Sequence, residues 1–237
     1  MDARLPTARG PGDAIAAAFA ASNFRDVSGT VRSRILKRSR VASLGAGSTL
    51  HAEGETRPHF ELVLSGLIRV FVGAPDGRTL TVRYCRTGAI IGAASVFGRG
   101  FMLPATIQAL VDSEVLVLSP DVVQAVVRAD AVAADAVLAE LSERIQAFLI
   151  ETREGAFSPL RRRVARHLLD LASASQRSSA LVAEVNQREL ADACGTVREV
   201  VARTLGELRD RGLIETHRAG VTITEPAGLL SVALGEV

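Results

Sequence analysis

The sequence predicts an α+β fold built of a β-rich domain, a long helix and a small C-terminal helical domain closed by a β-hairpin. Three observations carry this. Between Val41 and Ser119, short runs of Val, Ile, Leu and Thr are separated by turn signals at Gly45, Gly47, Gly54, Gly66, Pro75-Asp76-Gly77, Gly88, Gly92 and Gly98, the pattern of an all-β sandwich or barrel. From Asp121 the apolar spacing changes to three and four residues, which is helical. From Asn186 to Thr224, two short helix patterns separated by Gly195 lead into two short strand patterns. The expected parts are residues 1–40, an N-terminal helical segment; 41–120, the β domain; 121–156, the long helix and a hinge; and 157–237, the C-terminal domain.

Met1 to Gly12 is punctuated by Pro and Gly and reads as frayed. Asp13 is the expected N-cap of a helix carrying Ile15, Phe19 and Ala20. A second helix, from about Ser28 to Arg38, sets Val31, Ile35 and Leu36 against Arg32, Arg34, Lys37 and Arg38. Those basic groups read as a solvated face, with nucleic-acid contact as the alternative, because no aromatics are interleaved with them. In the β domain, Glu61 to Val72 reads as a hairpin, and Leu80, Val82 and Tyr84 alternate with Thr81, Arg83 and Cys85. His51 and His59 lie near turns and read as solvent-facing, with a haem role as the alternative, and no metal site is expected.

In the long helix, Leu138, Leu141, Ile145, Phe148 and Thr152 recur at three and four residues, flanked by Glu140, Glu143, Arg144 and Glu151. This is a short coiled-coil seam and predicts a homodimer; the alternative is a helix packed on its own β domain. Glu154 to Pro159 interrupts the pattern and reads as the hinge. Leu160 to Ala172 follows as a helix exposing Arg161, Arg162, Arg163 and Arg166, with Arg162 expected at a DNA phosphate. Ser173 to Ser179 is a polar loop, and Leu181 to Val185 a short strand.

Asn186 with Glu189, and Thr196 with Glu199, each place a short polar side chain three residues before a Glu, so two capping boxes are expected. Projected as a helix, Val197, Val200, Val201, Thr204, Leu205 and Leu208 fall within an arc of about 140°, a core-facing stripe. The opposite arc holds Arg198, Glu199, Ala202, Arg203, Gly206 and Arg209. Its middle is small and its flanks are charged. Such a surface can enter a DNA major groove, where Arg clamps guanine O6/N7 and Glu accepts from cytosine N4. After Gly212, Leu213 to His217 and Val221 to Thr224 form a hairpin turning at Arg218-Ala219-Gly220, which completes a winged helix-turn-helix. Pro226 and Gly228 end the wing, and Leu229 to Leu234 is a tail that docks.

With these residues in view, the chain from about Val41 to Thr224 resembles the cyclic AMP receptor/FNR-like (CRP/FNR) family of bacterial transcription regulators. The Arg198-Glu199-x-x-x-Arg203 pattern is similar to the family's base-reading triplet. The resemblance implies that Arg198 and Glu199 read G·C pairs and Arg203 another guanine, with Gln187, Thr196 and Val197 also at the DNA. Val197 departs from the family, where a Ser often donates to a phosphate. The resemblance further implies a β-roll of cyclic-nucleotide-binding type, a dimerisation helix, a homodimer on a palindromic operator, and RNA polymerase as a further partner.

At the effector pocket the resemblance fails. In cyclic-nucleotide-binding relatives a Gly-Glu pair holds the ribose and an Arg-Ser pair the cyclic phosphate. Here the matching places are Gly92-Ala93, followed by Ala94, and Leu103-Pro104-Ala105, while a polar pair from the dimer helix is replaced by Phe148 and Leu149. Both charged groups are absent, so tight cyclic AMP binding through the usual contacts is not expected and the effector stays unknown. An alternative function is a small-molecule or redox sensor using the β-roll, with DNA binding secondary and Cys85 as the modifiable group.

The composition is compatible with all of this. A chain of 237 residues with 48% hydrophobic content supports packed cores, and a formal net charge of +2 leaves specific recognition to locally placed Arg groups. The two cysteines, Cys85 and Cys194, have no metal-ligand spacing, and no cysteine precedes Cys85 to match the N-terminal iron–sulfur set of some relatives. Cys194 reads as a small buried hydrophobe. No catalytic constellation is found around His51, His59, His167 or His217, so an enzyme is not expected. The Ala-rich run after Asp13 is too short to span a membrane and lacks a signal's basic start, so a cytoplasmic protein is expected.

Overall fold

The computed structural model describes residues 11–74, 79–98, 100–174, 181–218 and 220–235, without the side chains of residues 11, 80, 151–157 and 173–174. The chain before Pro11, the Pro75-Asp76-Gly77 turn, Ala219 of the wing turn, the loop after Ala174 and the Thr152 side chain therefore lie outside the described residues. The chain forms two compact units, residues 1–70 with 84–145 and residues 71–83 with 146–237.

In the first unit, α1 (Pro11–Ala20) starts before Asp13, which lies in its first turn rather than capping it. For α2 (Gly29–Leu36), Ser28 is the N-cap and accepts from the Val31 N–H at 3.2 Å. The β domain comprises β1 (Arg40–Leu44), β2 (Thr49–His51), β3 (Glu61–Ser65), β4 (Ile68–Gly73), β5 (Thr79–Cys85), β6 (Ile90–Ile91), α3 (Ala93–Phe97), β7 (Thr106–Ala109) and β8 (Ser113–Val117). Its strands make two four-stranded sheets, ordered β1-β8-β3-β6 and β2-β7-β4-β5.

The expected hairpin over Glu61 to Val72 is not a paired hairpin. β3 pairs with β6 and β8, whereas β4 belongs to the other sheet. The chain crosses between sheets at Gly66, whose φ of 89° and close approach to Ser113 leave no room for a Cβ. This crossing explains why β3 is buried on both faces. Leu62 and Leu64 join Phe19, Phe24, Ile35, Phe60 and Leu116 in one core under the helices. Val63 joins Ile68, Cys85, Ile91, Leu103, Ile107 and Val115 in a second core, as the strand's period of two requires. On β5 the buried positions are Thr81 and Cys85, so the odd-numbered phase faces inward.

Two further helices follow, α4 (Pro120–Ala129) and α5 (Ala131–Phe157). α5 is unbroken through Glu154, so the expected interruption shrinks to Ser158 and Pro159 before α6 (Leu160–Ala174). Ala133, Ala136 and Val137 bury one face of α5 in the first core. Glu140, placed by the sequence on a solvated flank, is buried; it accepts from Asn23 Nδ2 at 3.0 Å and pairs with Arg144 at 3.3 Å.

In the second unit, β9 (Leu181–Ala183), α7 (Gln187–Ala193), α8 (Arg198–Asp210), β10 (Ile214–His217), β11 (Gly220–Ile223) and α9 (Pro226–Leu234) follow α6. The wing is a three-stranded antiparallel sheet, β10-β11-β9, with Ile214 opposite Ile223. The tail docks as expected. Leu229 and Val232 of α9 are fully buried, and α9 packs on α6.

Candidate nucleic-acid interface and effector-domain site

α7 starts with the expected capping box. Asn186 Oδ1 accepts from the Arg188 and Glu189 N–H groups at 2.9 and 3.0 Å, and Glu189 accepts from the Asn186 N–H at 3.0 Å. α8 does not follow suit. The Thr196 N–H donates to the Ala191 carbonyl at 3.0 Å, so the turn at Gly195, with φ 60°, consumes Thr196. The N-cap passes to Val197, which has no side-chain acceptor and is exposed rather than part of the core stripe. The Thr196–Glu199 box is therefore not formed.

Below that start, α8 behaves as the periodicity predicts. Val201, Thr204, Leu205 and Leu208 are buried and Val200 half-buried. Thr204, a polar group on the buried face, satisfies its hydroxyl by donating to the Val200 carbonyl at 3.0 Å. Arg198, Glu199, Ala202 and Arg203 are exposed, and among the described residues the three charged ones are tied to no other side chain. Arg209, on the same arc, instead pairs with Asp210 at 3.2 Å.

Two arginines of α6, Arg162 and Arg163, bond to backbone carbonyls. Arg162 donates to the Leu234 carbonyl at 2.9 Å and the Ala233 carbonyl at 3.3 Å, closing the C-terminus of α9. Arg163 donates to the Ser158 carbonyl at 2.8 Å and the Cys194 carbonyl at 3.3 Å, tying the start of α6 to the turn before α8. Arg162, expected on an exposed side, is thus half-buried with part of its guanidinium engaged within the chain.

In the β domain, Gly92 precedes α3 with φ 86°, and a Cβ there would collide with the His59 backbone. Ala93, which the resemblance sets at the Glu of nucleotide-binding relatives, is buried in the first core; Leu103, set at their Arg, is buried in the second. Pro104 is exposed and Ala105 buried. Neither buried position has a polar side-chain atom.

Comparison with known proteins agrees with this geometry. Residues 41–130 match the cyclic nucleotide-binding domain and residues 162–232 the Crp-like helix-turn-helix domain. The transcriptional regulator LdrP of Thermus thermophilus is 33% identical over 76% of this chain and 90% of its own length. The chain belongs to the CRP/FNR family of transcription regulators. The CRP-like cAMP-activated global transcriptional regulator of Mycobacterium tuberculosis is 26% identical over 85% of this chain and 92% of its own. The structure of a CRP/FNR-family transcriptional regulator from Thermus thermophilus superposes with a TM-score of 0.71 at 25% identity, covering 82% of this chain and 98% of that one. None of the described helices of this CRP/FNR-family chain is long and apolar enough to cross a membrane.

Two features of this family member need a different account from the sequence reading. On α5, Leu138, Ile145, Phe148 and Leu149 are 61, 62, 64 and 62% exposed, but Leu141 is half-buried against the first core. The exposed face therefore carries Leu138, Ser142, Ile145, Phe148 and Leu149, while Leu141, expected in the seam, is half-buried. The second feature is His51, His59 and Glu61. They are not solvent-facing groups without partners. Glu61 is 1% exposed and accepts from His51 Nε2 at 3.0 Å and His59 Nδ1 at 2.9 Å, and His51 Nδ1 lies 2.9 Å from Glu55. Burial pushes the Glu61 carboxyl up, but the hydrogen bonds from His51 and His59 outweigh it and hold it below the usual range. For His51, burial acts downward and the hydrogen bonds and charges of Glu61 and Glu55 win, so it is raised. The signal in the sequence was Glu61 itself, on the inward phase of an otherwise apolar strand.

Proposed function

We propose that this chain is a homodimeric regulator that reads a palindromic operator, setting α8 of each copy into the major groove. Residues 41–120 form its effector-type domain, 121–156 its dimerisation helix and hinge, and 157–237 its DNA-binding domain. The observation that carries the reading is the outer face of α8, where Arg198, Glu199 and Arg203 are exposed and unpaired among the described residues around Ala202 and Gly206. A charged, uncommitted fork above a small-residue strip is what base-edge recognition needs. Thr196, Val197 and Gln187 sit at the helix starts beside it. Selection of bound fragments from random double-stranded DNA tests this directly. The expected product is an inverted repeat with half-sites about one helical turn apart; recovery of no common sequence would overturn it.

In this reading the effector domain has lost its nucleotide contacts. Apolar packing of Ala93 and Leu103 leaves no acceptor for a ribose hydroxyl and no cation for a phosphate. Calorimetry with cyclic AMP at tens of micromolar should show no saturable heat. Binding tighter than about 1 μM, worth roughly 8 kcal/mol, would mean that other groups replace both charges. A redox sensor at Cys85 is not favoured, because that thiol is fully buried in the second core.

A further inference from the structure

We infer that His51, His59 and Glu61 form a binding site for one divalent first-row transition-metal ion inside the β domain. Each residue offers a ligand atom, and the three atoms lie within 4.8 Å of one another. Two imidazoles and one carboxylate, with no thiolate, suit zinc, cobalt(II), nickel or iron(II) rather than calcium or a copper(I)-type soft ion.

The placement is specific to the fold. β3 alternates, so Glu61 projects to the same side as Val63, which belongs to the core shared with Ile68 and Ile107 of the opposite sheet. His51 ends β2 of that opposite sheet, and the two strands meet through the His51–Glu61 contact. Strand position 61 lies in an apolar run where a methyl-bearing side chain would pack at no electrostatic cost. An ionised carboxylate there costs several kcal/mol unless opposite charge accompanies it. In the metal-free chain the His51 and His59 N–H groups are its partners, and a bound dication would take the place of those protons.

Two further observations point to a ligand rather than to a structural triad alone. His51 Nδ1 is held by Glu55, which fixes the ring so that Nε2 faces the cluster. That is the carboxylate–histidine arrangement that orients metal ligands. In addition, His59 is 5% exposed and turns Nδ1 to Glu61 at 2.9 Å, while its buried Nε2 has no hydrogen-bond partner among the described residues, so the ring is held toward the cluster by Nδ1 alone. Entry is by the Glu55 side, because Glu55 is 41% and His51 17% exposed at the side chain. The His59 backbone is pinned to α3 through Ser95, whose Oγ lies 2.9 Å from the His59 N–H and 2.8 Å from its carbonyl. Occupancy would thus bear on the segment that carries the nucleotide cassette in relatives.

The test is titration of the untagged full-length protein with cobalt(II), followed by visible absorption and by the ring-proton resonances of its four histidines. One equivalent per chain should bind, with His51 and His59 signals shifted paramagnetically and those of His167 and His217 little affected. Glu61→Gln and His51→Asn, each checked for folding by circular dichroism, should weaken binding at least 100-fold, and Glu55→Gln about 10- to 100-fold. Absence of saturable binding to the wild-type protein would overturn the site. So would shifts of His167 or His217 instead, or undiminished binding by folded Glu61→Gln. The wild-type resonances decide the matter even where a variant fails to fold, and none of these outcomes bears on DNA recognition by α8.

Discussion

Glu199 stands three residues after Thr196, yet the turn at Gly195 has already engaged the Thr196 N–H, and α8 begins without that carboxylate. A cap role worth about 1 kcal/mol is thereby removed from the side chain, which is consistent with the base reading proposed for it. Glu199→Gln should accordingly leave the melting temperature unchanged while relaxing preference at one base pair per half-site by about 1 to 3 kcal/mol. Arg198→Ala and Arg203→Ala should each relax a guanine position. Competition binding against single-base operator substitutions separates these effects, and equal losses on every sequence would refute base reading. Arg162→Ala belongs to a different class. With its guanidinium on the carbonyls of Ala233 and Leu234, it should lower stability by about 1 to 2 kcal/mol and leave the salt dependence of DNA binding unchanged. The cysteines are inert for a shared reason. Both are buried, and burial pushes the Cys194 thiol up to about 12, against a smaller opposing pull from Arg163. Iodoacetamide at pH 8 should therefore label neither residue until denaturant is added.

Among the elements, what was legible in the sequence follows its local physics. The α7 capping box, the buried stripe of α8 and the wing register depend on neighbours within a few residues, and periodicity plus cap chemistry locates them. The failures in the β domain are decided at long range. β3 and β4 look like a hairpin because Ser65-Gly66 is a good turn, but whether the chain folds back or crosses to a second sheet depends on partners β8 and β7, far along the sequence. His51 and Glu61 meet only once that crossing has occurred. The start of α8 fails on a finer scale, because the geometry of the preceding turn passes the cap from Thr196 to Val197, which has no side-chain acceptor. This yields a gain-of-stability prediction. Val197→Ser supplies the missing acceptor at the N-cap and should raise stability by about 0.5 to 2 kcal/mol in thermal melts, while tightening DNA binding alike on all sequences through an added phosphate donor.

For the molecule as a whole, the question is what covers the outer face of α5. Its inner face is already used by Ala133, Ala136 and Val137, and Asn23 bonds Glu140 and Glu143 from the N-terminal segment. Four large apolar side chains then stand more than half exposed within twelve residues, at Leu138, Ile145, Phe148 and Leu149. A patch of that kind is costly on a monomer and is a usual mark of an interface. In the proposed dimer a second copy of the same helix would supply a matching surface, and an isologous contact would give the two-fold symmetry that a palindromic site demands. Leu141 is the wrong residue with which to test this, since it packs partly on its own core and Leu141→Asp would damage the fold as well. Leu138→Asp with Ile145→Asp is the clean pair, because both side chains face outward and two buried, unpaired carboxylates would meet their symmetry mates in the seam. The doubly substituted protein should stay folded by circular dichroism, scatter light as a monomer, lose the concentration dependence of its melting temperature, and bind a full operator little better than a single half-site. A folded dimer of unchanged mass would assign the exposed stripe another partner and remove the basis for a palindromic operator.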